Sequence, residues 1–219
     1  MLHQRYKDIC FMAVGKAALP NYWIHKCRYA LAPGNGRALH LHLGCGAKYL
    51  AGFVNVDANP LRKVDLWLDV RCGLPYRANS VASIYSTHMI EHLYPDELER
   101  LLGECARVLK PGGGLRIVVP SLRNAILAYQ DNRHDWFPGS FPRHFDSVGG
   151  RFSNFLFCDG QHRTAFDFGY LQELLRKAGF ARVEESEEGR SRFYGEKVPP
   201  FEPIDTTGLP HSLYVEAFK

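Results

Sequence analysis

At 219 residues the chain suits one domain, and folding at that length buries roughly 70% of the unfolded surface, so no disulfide or metal staple is required. Hydrophobic residues at 46% and aromatic residues at 13% exclude a disordered polymer. A net charge of +4 admits an anionic ligand but is not the dense basic stripe of a dedicated nucleic-acid binder.

Six cysteines, at 10, 27, 45, 72, 105 and 158, include no C-x-x-C pair. Such scattered thiols suit a reduced, cytoplasmic protein better than a disulfide framework. In chain order, Ile9–Val14 is an apolar patch bounded by Arg5, Lys7, Asp8 and Lys16, too short for a membrane span and too charged for a signal peptide. It reads as an amphipathic helix packed on the domain, within a helical segment 1–36 that closes on the loop Pro33-Gly34-Asn35-Gly36. No stable membrane insertion is expected.

Apolar runs predict strands at 38–43, 53–56, 64–68 and 81–85. Residues 95–109 predict a helix, with Leu98, Leu101, Leu102, Cys105 and Leu109 on one face and Asp96 and Glu97 at its start. Pro111 and three glycines read as a turn into a fifth strand, 115–119. Helices are expected at 124–130 and 168–178, the second stopped by Gly179, and a last strand at 212–218. Between those helices, 133–163 shows no period and is rich in aromatic residues; it reads as an insert in a single domain spanning 1–219. Strands alternating with helices imply a mostly parallel sheet covered on both faces.

In such a sheet, ligands sit beyond the carboxyl ends of the strands. Gly44, Asp57, Asp69 and Ser86 each fall just after one of the first four strands and so share that edge. Gly44 and Gly46 let backbone approach a ligand. An acid after the second strand can accept both hydroxyls of a ribose, and one after the third can accept from an adenine amino group. Rival motifs fail on spacing. A dinucleotide fingerprint needs a third glycine where Tyr49 stands and an acid later than Asp57, and a phosphate loop needs G-K-[S/T]. His40 and His42 share a strand face but bring no further ligands at metal spacing; they read as hydrogen-bonded sheet residues, and no metal site is expected.

The segments LHLGCG…NVD, LDVRCGLPYRANSVASIYSTHMIEHL and LKPGGGLRIVVPSL, in that order, resemble the class I S-adenosylmethionine-dependent methyltransferases, and within them the bacterial small-molecule and glycan-associated branch. The likeness is close over 38–120 and looser over 163–180 and the final strand. It implies a Rossmann-like, seven-stranded, mostly parallel sheet with helices on both faces and an antiparallel last strand, and S-adenosylmethionine as cofactor. It places Gly44, Cys45 and Gly46 at the methionine part and ribose, Asp57 at the ribose hydroxyls, Asp69 and Val70 at the adenine, and Ser86 at the methionine end. His42 stands where the family often has an acid or amide, and Lys48 where it often has a third glycine. Lys48 reads either as a partner for the cofactor's carboxylate or as a solvated loop residue. The crossover 47–52 is too short for a helix, so a turn is expected there.

The leading function is methyl transfer to a small molecule or sugar, at oxygen. An oxygen acceptor needs a base, and His88, Glu91 and His92 share one face of the turn after the fourth strand. Of the two histidines His88 is nearer the strand end and is favoured as the base; Glu91 and His92 read equally as caps and braces of the turn. The aromatic insert 133–163 reads either as a small satellite core or as the acceptor-side lid; as a lid, Trp136 or the phenylalanines would stack on the acceptor and His134, His144, His162 and Arg163 supply polar contacts. The alternative is a methyltransferase-like subunit that binds cofactor or a partner without chemistry. Nucleic-acid methylation is disfavoured because Ser86-Thr87-His88-Met89 stands where Asn/Asp-Pro-Pro-Tyr would be. The acceptor and the oligomeric state are not set by the sequence.

Overall fold

The structure, a computed structural model, describes residues 4–31, 38–139, 141–194 and 207–219. The expected loop at 33–36 and the proline-bearing stretch 199–203 lie outside the described residues. Seven strands form one sheet in the order β3-β2-β1-β4-β5-β7-β6. They are β1 (His40–Leu43), β2 (Val54–Asp57), β3 (Leu66–Trp67), β4 (Val81–Thr87), β5 (Leu109–Pro120), β6 (Arg182–Ser186) and β7 (Ser212–Phe218). Strands β1 to β5 run parallel, and β7 is antiparallel to both β5 and β6. The expected Rossmann-like sheet with an antiparallel last strand is therefore present, and the order reverses between β1 and β4, where such sheets bind ligands.

Parallel strands covered on both faces must be apolar throughout, and the core agrees: Leu41, Val56, Ile84, Ile117 and Val215 are all inaccessible or nearly so. Helix α3 (Pro95–Val108) packs Leu98, Leu101, Leu102 and Cys105 onto the sheet, as its spacing predicts. Leu109, expected to close that face, instead begins β5. The Pro-Gly-Gly-Gly run is drawn into β5 rather than preceding it: Leu109 pairs with Val81, the register shifts before Ser83, and Gly112 takes φ +76°. Such an irregular pairing needs glycine.

The amino-terminal segment forms two helices, α1 (Gln4–Ala17) and α2 (Leu19–Leu31). The packed helix anticipated from 9–14 is thus the first of a pair. Gly15 and Ala18 are buried, and Asn21 donates to the Trp67 carbonyl at 3.4 Å, so the pair lies across the end of β3. Helices α4 (Leu122–Gln130) and α6 (Phe168–Lys177) occupy the expected places, with Gly179 at φ +100° ending the latter. The aperiodic insert contains a helix the sequence did not show, α5 (Val148–Phe157). Two glycines and a ring of phenylalanines obscure its period, but Ser147 caps it by accepting from Gly150 N–H. No helix among the described residues is long and apolar enough to cross a membrane.

Candidate functional site

The edge after β1 is built by main-chain geometry. Gly44 N–H and Cys45 N–H both donate to the Val56 carbonyl, at 2.9 and 3.1 Å, which folds the chain back over β2. Gly44 and Gly46 take φ +67° and +53°. The two glycines serve different ends. A Cβ on Gly44 would meet Met89 Cγ at 2.2 Å, whereas a Cβ on Gly46 would meet nothing within 4 Å. Gly44 makes room for the protein's own Met89, and only Gly46 faces open space. Residues 47–52 form turns, as expected.

Asp57 closes this cradle. Its two oxygens accept from Gly46 N–H and Asn59 N–H, each at 2.7 Å. A carboxylate has about four acceptor positions, so two remain for hydroxyls. Cys45 is buried, and burial with the nearby Asp57 charge pushes its thiol up to about 12, which rules it out as a nucleophile near neutral pH. The described cysteines, at 27, 45, 72, 105 and 158, are not joined in disulfides. Lys48 is exposed. Leu43 pairs with Ser86, so Ser86 stands beside the glycine turn; its hydroxyl is buried and has no hydrogen-bond partner. A buried hydroxyl left unpaired costs free energy that a ligand could recover.

Under this turn lies an arrangement the sequence did not reveal. Buried Asn55 accepts from Leu50 N–H and pairs with His42 Nδ1 at 3.1 Å, while its amide donates to the Leu50 carbonyl and to Asp65. Desolvation lowers His42 to about 4, so it is a neutral sheet residue. His40 likewise bonds Ser83 Oγ at 2.7 Å. Neither is arranged as a metal ligand.

Asp69 departs from its expected role. Arg71 Nε reaches both carboxylate oxygens, at 2.9 and 3.0 Å, Nη2 adds a bond at 2.7 Å, and Arg71 N–H donates as well. Gly15 of α1 covers the other side so closely that a Cβ there would sit 2.3 Å from Asp69 Oδ2. The carboxylate is a pin for the turn after β3 and for α1, and as placed it is closed to an adenine. Val70 opens that turn as the first residue of a 3-10 helix.

The turn after β4 gathers the expected His88, Glu91 and His92. His88 has φ +48°, an uncommon conformation for a non-glycine and one concentrated at functional sites. Its Nε2 lies 3.3 Å from Ser212 Oγ, and its Nδ1 3.5 Å from Glu91. Glu91 is 2% exposed and neither oxygen has a hydrogen-bond partner. Burial alone would push it up, but His88, His92 and His162 together hold it below the usual carboxylate range.

The insert divides. His162 joins the turn, its ring 5.0 Å from that of His92. Trp136, expected to stack on an acceptor, is wholly buried: its indole N–H donates to the Leu209 carbonyl at 2.7 Å and its ring stacks on His211. It is the centre of a satellite core with Phe137 and Phe155, and so cannot touch a substrate. His134 and His144 stand apart from the turn; the cavity beside His144 is about 20 Å3, room for a water. Arg163 lies over the Tyr94 ring and bonds the Gly160 carbonyl. A larger cavity of about 470 Å3 opens where β5 and β6 end and β7 begins, lined by Ser121, Arg123, Asp167, Glu187 and Ser212. Ser212, which bonds His88, connects it to the turn after β4.

Residues 41–117 match a family described as a methyltransferase domain. No curated protein matches the chain. Among solved structures it is similar to a SAM-dependent methyltransferase from Thermotoga maritima, at 19% identity, 98% coverage of this chain, 95% of that one and TM-score 0.49. Others come from Archaeoglobus fulgidus (18%, 90% and 94%, 0.49) and Mesorhizobium loti (17%, 91% and 98%, 0.49). Likenesses of that depth add nothing to the strand order itself. From β1 to the middle of β5 the sequence matches that methyltransferase domain, and S-adenosylmethionine is the cofactor that the strand-end cradle fits.

Proposed function

We propose that the protein transfers the methyl group of S-adenosylmethionine to an oxygen of a small molecule or sugar. The observation that carries this reading is the cradle: open space at Gly46, an Asp57 carboxylate held by two main-chain N–H groups with acceptor capacity left, and the orphaned Ser86 hydroxyl. When bound, the cofactor supplies a sulfonium-activated methyl group. Asp57 takes the ribose hydroxyls, Gly44, Cys45 and Gly46 line the methionine and ribose side, Ser86 bonds the methionine end, and Val70 borders the adenine. Asp69 shapes that end through Arg71 and α1.

The chain's other task is to hold the acceptor in line and take its proton. His88, strained at the strand end between Glu91 and Ser212, is the base in this reading, and the Glu91 carboxylate, 3.5 Å from its Nδ1, favours the ring once it has taken the proton. The polar 470 Å3 cavity reached through Ser212 suits a hydroxylated acceptor. Residues 133–163 act as its cover, with Trp136 holding the cover together rather than meeting the substrate.

Calorimetric titration with S-adenosylhomocysteine and with NAD tests the cofactor assignment. Binding of the first and not the second is expected, and a preference for NAD overturns the reading. Incubation with labelled S-adenosylmethionine and a panel of sugars and small alcohols then reads turnover. Tight cofactor binding with no transfer to any of them would favour a non-catalytic binding subunit.

A further inference from the structure

We propose that Glu91, His92 and His162 form a binding site for a first-row divalent transition-metal ion. One ligand atom from each lies within 4.8 Å of the others. Metal–ligand bonds of about 2.0–2.2 Å at tetrahedral angles place ligand atoms about 3.3–3.6 Å apart, so closure on an ion takes up to about 1–1.5 Å of side-chain movement.

Three features set this cluster apart from a chance grouping. The first is the carboxylate. Glu91 is sealed from solvent, with no donor on either oxygen, and His88 Nδ1 at 3.5 Å is too distant for a hydrogen bond. Burying a carboxylate in this way is costly unless a cation meets it. The second is the orientation of the imidazoles. His92 Nδ1 faces the Gln161 carbonyl at 3.1 Å, and His162 Nδ1 faces the Leu156 carbonyl at 2.9 Å. A carbonyl can only accept, so each Nδ1 carries its hydrogen, and in the neutral ring each Nε2 presents a lone pair. Main-chain carbonyls fix metal-binding histidines in this way.

The third is the main-chain stitching that brings residue 162 to residue 91. Arg163 N–H and Thr164 N–H both donate to the Glu91 carbonyl, at 2.7 and 3.2 Å, and the Thr164 hydroxyl donates to the Leu93 carbonyl at 3.0 Å. Two imidazoles and one carboxylate favour zinc, iron, cobalt or manganese over magnesium or calcium, and three protein ligands leave coordination positions open. In the chain these ligands border His88 and the proposed acceptor side. The site stands without the methyltransferase reading; only its task, gripping an acceptor oxygen beside His88, rests on it.

The test uses the full chain, free of any polyhistidine tag and stripped with a chelator, without donor or acceptor. Equilibrium dialysis against Zn2+ and Co2+, with the metal counted by mass spectrometry, should give one ion per chain. Bound Co2+ should show visible absorption bands. His162→Ala and Glu91→Gln should each weaken uptake by more than the roughly 10–100-fold typical of losing a supporting contact. His162 lies outside the sheet, so its variant remains informative if Glu91→Gln fails to fold. Absence of uptake by the wild type, or equal uptake by wild type and variants, overturns the site. S-adenosylhomocysteine titration of the same samples separates the two readings: cofactor binding without metal uptake overturns the metal site alone, and metal uptake without cofactor binding upholds it while removing its proposed task.

Discussion

The two ends of the proposed active centre are built on different length scales. The cofactor end is local: Gly46 bonds Asp57 eleven residues away, and His42 pairs with Asn55 thirteen away. The acceptor end is assembled from afar. His92 meets Gln161 across 69 residues, Thr164 meets Leu93 across 71, Trp136 meets Leu209 across 73 and His88 meets Ser212 across 124. Their carboxylates differ accordingly. Asp57 sits among main-chain N–H groups and keeps capacity for a ligand, whereas Glu91 faces only histidines. One end is shaped before a ligand arrives; the other depends on long-range packing to hold its groups together.

The largest effect expected from breaking that difference is on chemistry. His88→Ala should lower methyl transfer by roughly 10²–10⁴-fold, the usual span for a general base, with little change in S-adenosylhomocysteine affinity. Single-turnover kinetics alongside calorimetry reads both. Equal loss of affinity would mean that the two ends are not separable. An unchanged chemistry-limited rate would move the base elsewhere.

Trp136→Ala tests the packing that assembles the acceptor end. Removing a wholly buried tryptophan should cost about 3–5 kcal/mol of stability, measured by urea unfolding. A loss below about 1 kcal/mol with abolished turnover would instead return Trp136 to the acceptor, since only a substrate contact would then explain the phenotype.

The same division of length scale decided what could be read from the residues alone. The first five strands, the turn at 47–52 and the places of Asp57 and Ser86 at strand ends follow from apolar runs that end at particular residues, and the pattern is complete within a short stretch. Leu98, Leu101, Leu102 and Cys105 were legible for the same reason, a 3.6-residue period. The engagement of Asp69 was not, because Gly15, fifty-four residues earlier, covers it by tertiary packing. Nor was the burial of Trp136, because an aromatic residue in an aperiodic stretch serves equally as core or platform until its neighbours are known. The carbonyls that orient His92 and His162 carry no side-chain signal at all.

His42 offers a measure of the local end's rigidity through pH. Desolvation lowers it to about 4 in the folded protein, against about 6.5 in an unfolded chain. Between those values the unfolded chain takes up a proton that the folded one refuses. Stability therefore falls as pH drops from about 6.5 towards 4, by ~3 kcal/mol over the whole interval, and is unaffected by this group above it. Urea unfolding at pH 7.5 and pH 4.5 should show a larger loss in the wild type than in His42→Gln, by ~2–3 kcal/mol. Equal losses would mean that the network around Asn55 opens to admit the proton.

The smallest expected effect probes the cradle itself. Asp57→Ala should weaken S-adenosylhomocysteine binding by about 1.5–3 kcal/mol, the scale of hydrogen bonds to a charged group. The variant also strips the acceptor from Gly46 N–H and Asn59 N–H, so a loss can arise from the turn as well as from the ribose. Two measurements separate these. The melting temperature of the ligand-free variant reports on the turn. Titration with adenosine and with 2′,3′-dideoxyadenosine reports on the hydroxyls: the wild type should distinguish the two nucleosides through Asp57, and the alanine variant should not. If the wild type binds the two nucleosides equally, Asp57 is a brace for the glycine turn and the ribose lies elsewhere along the sheet edge.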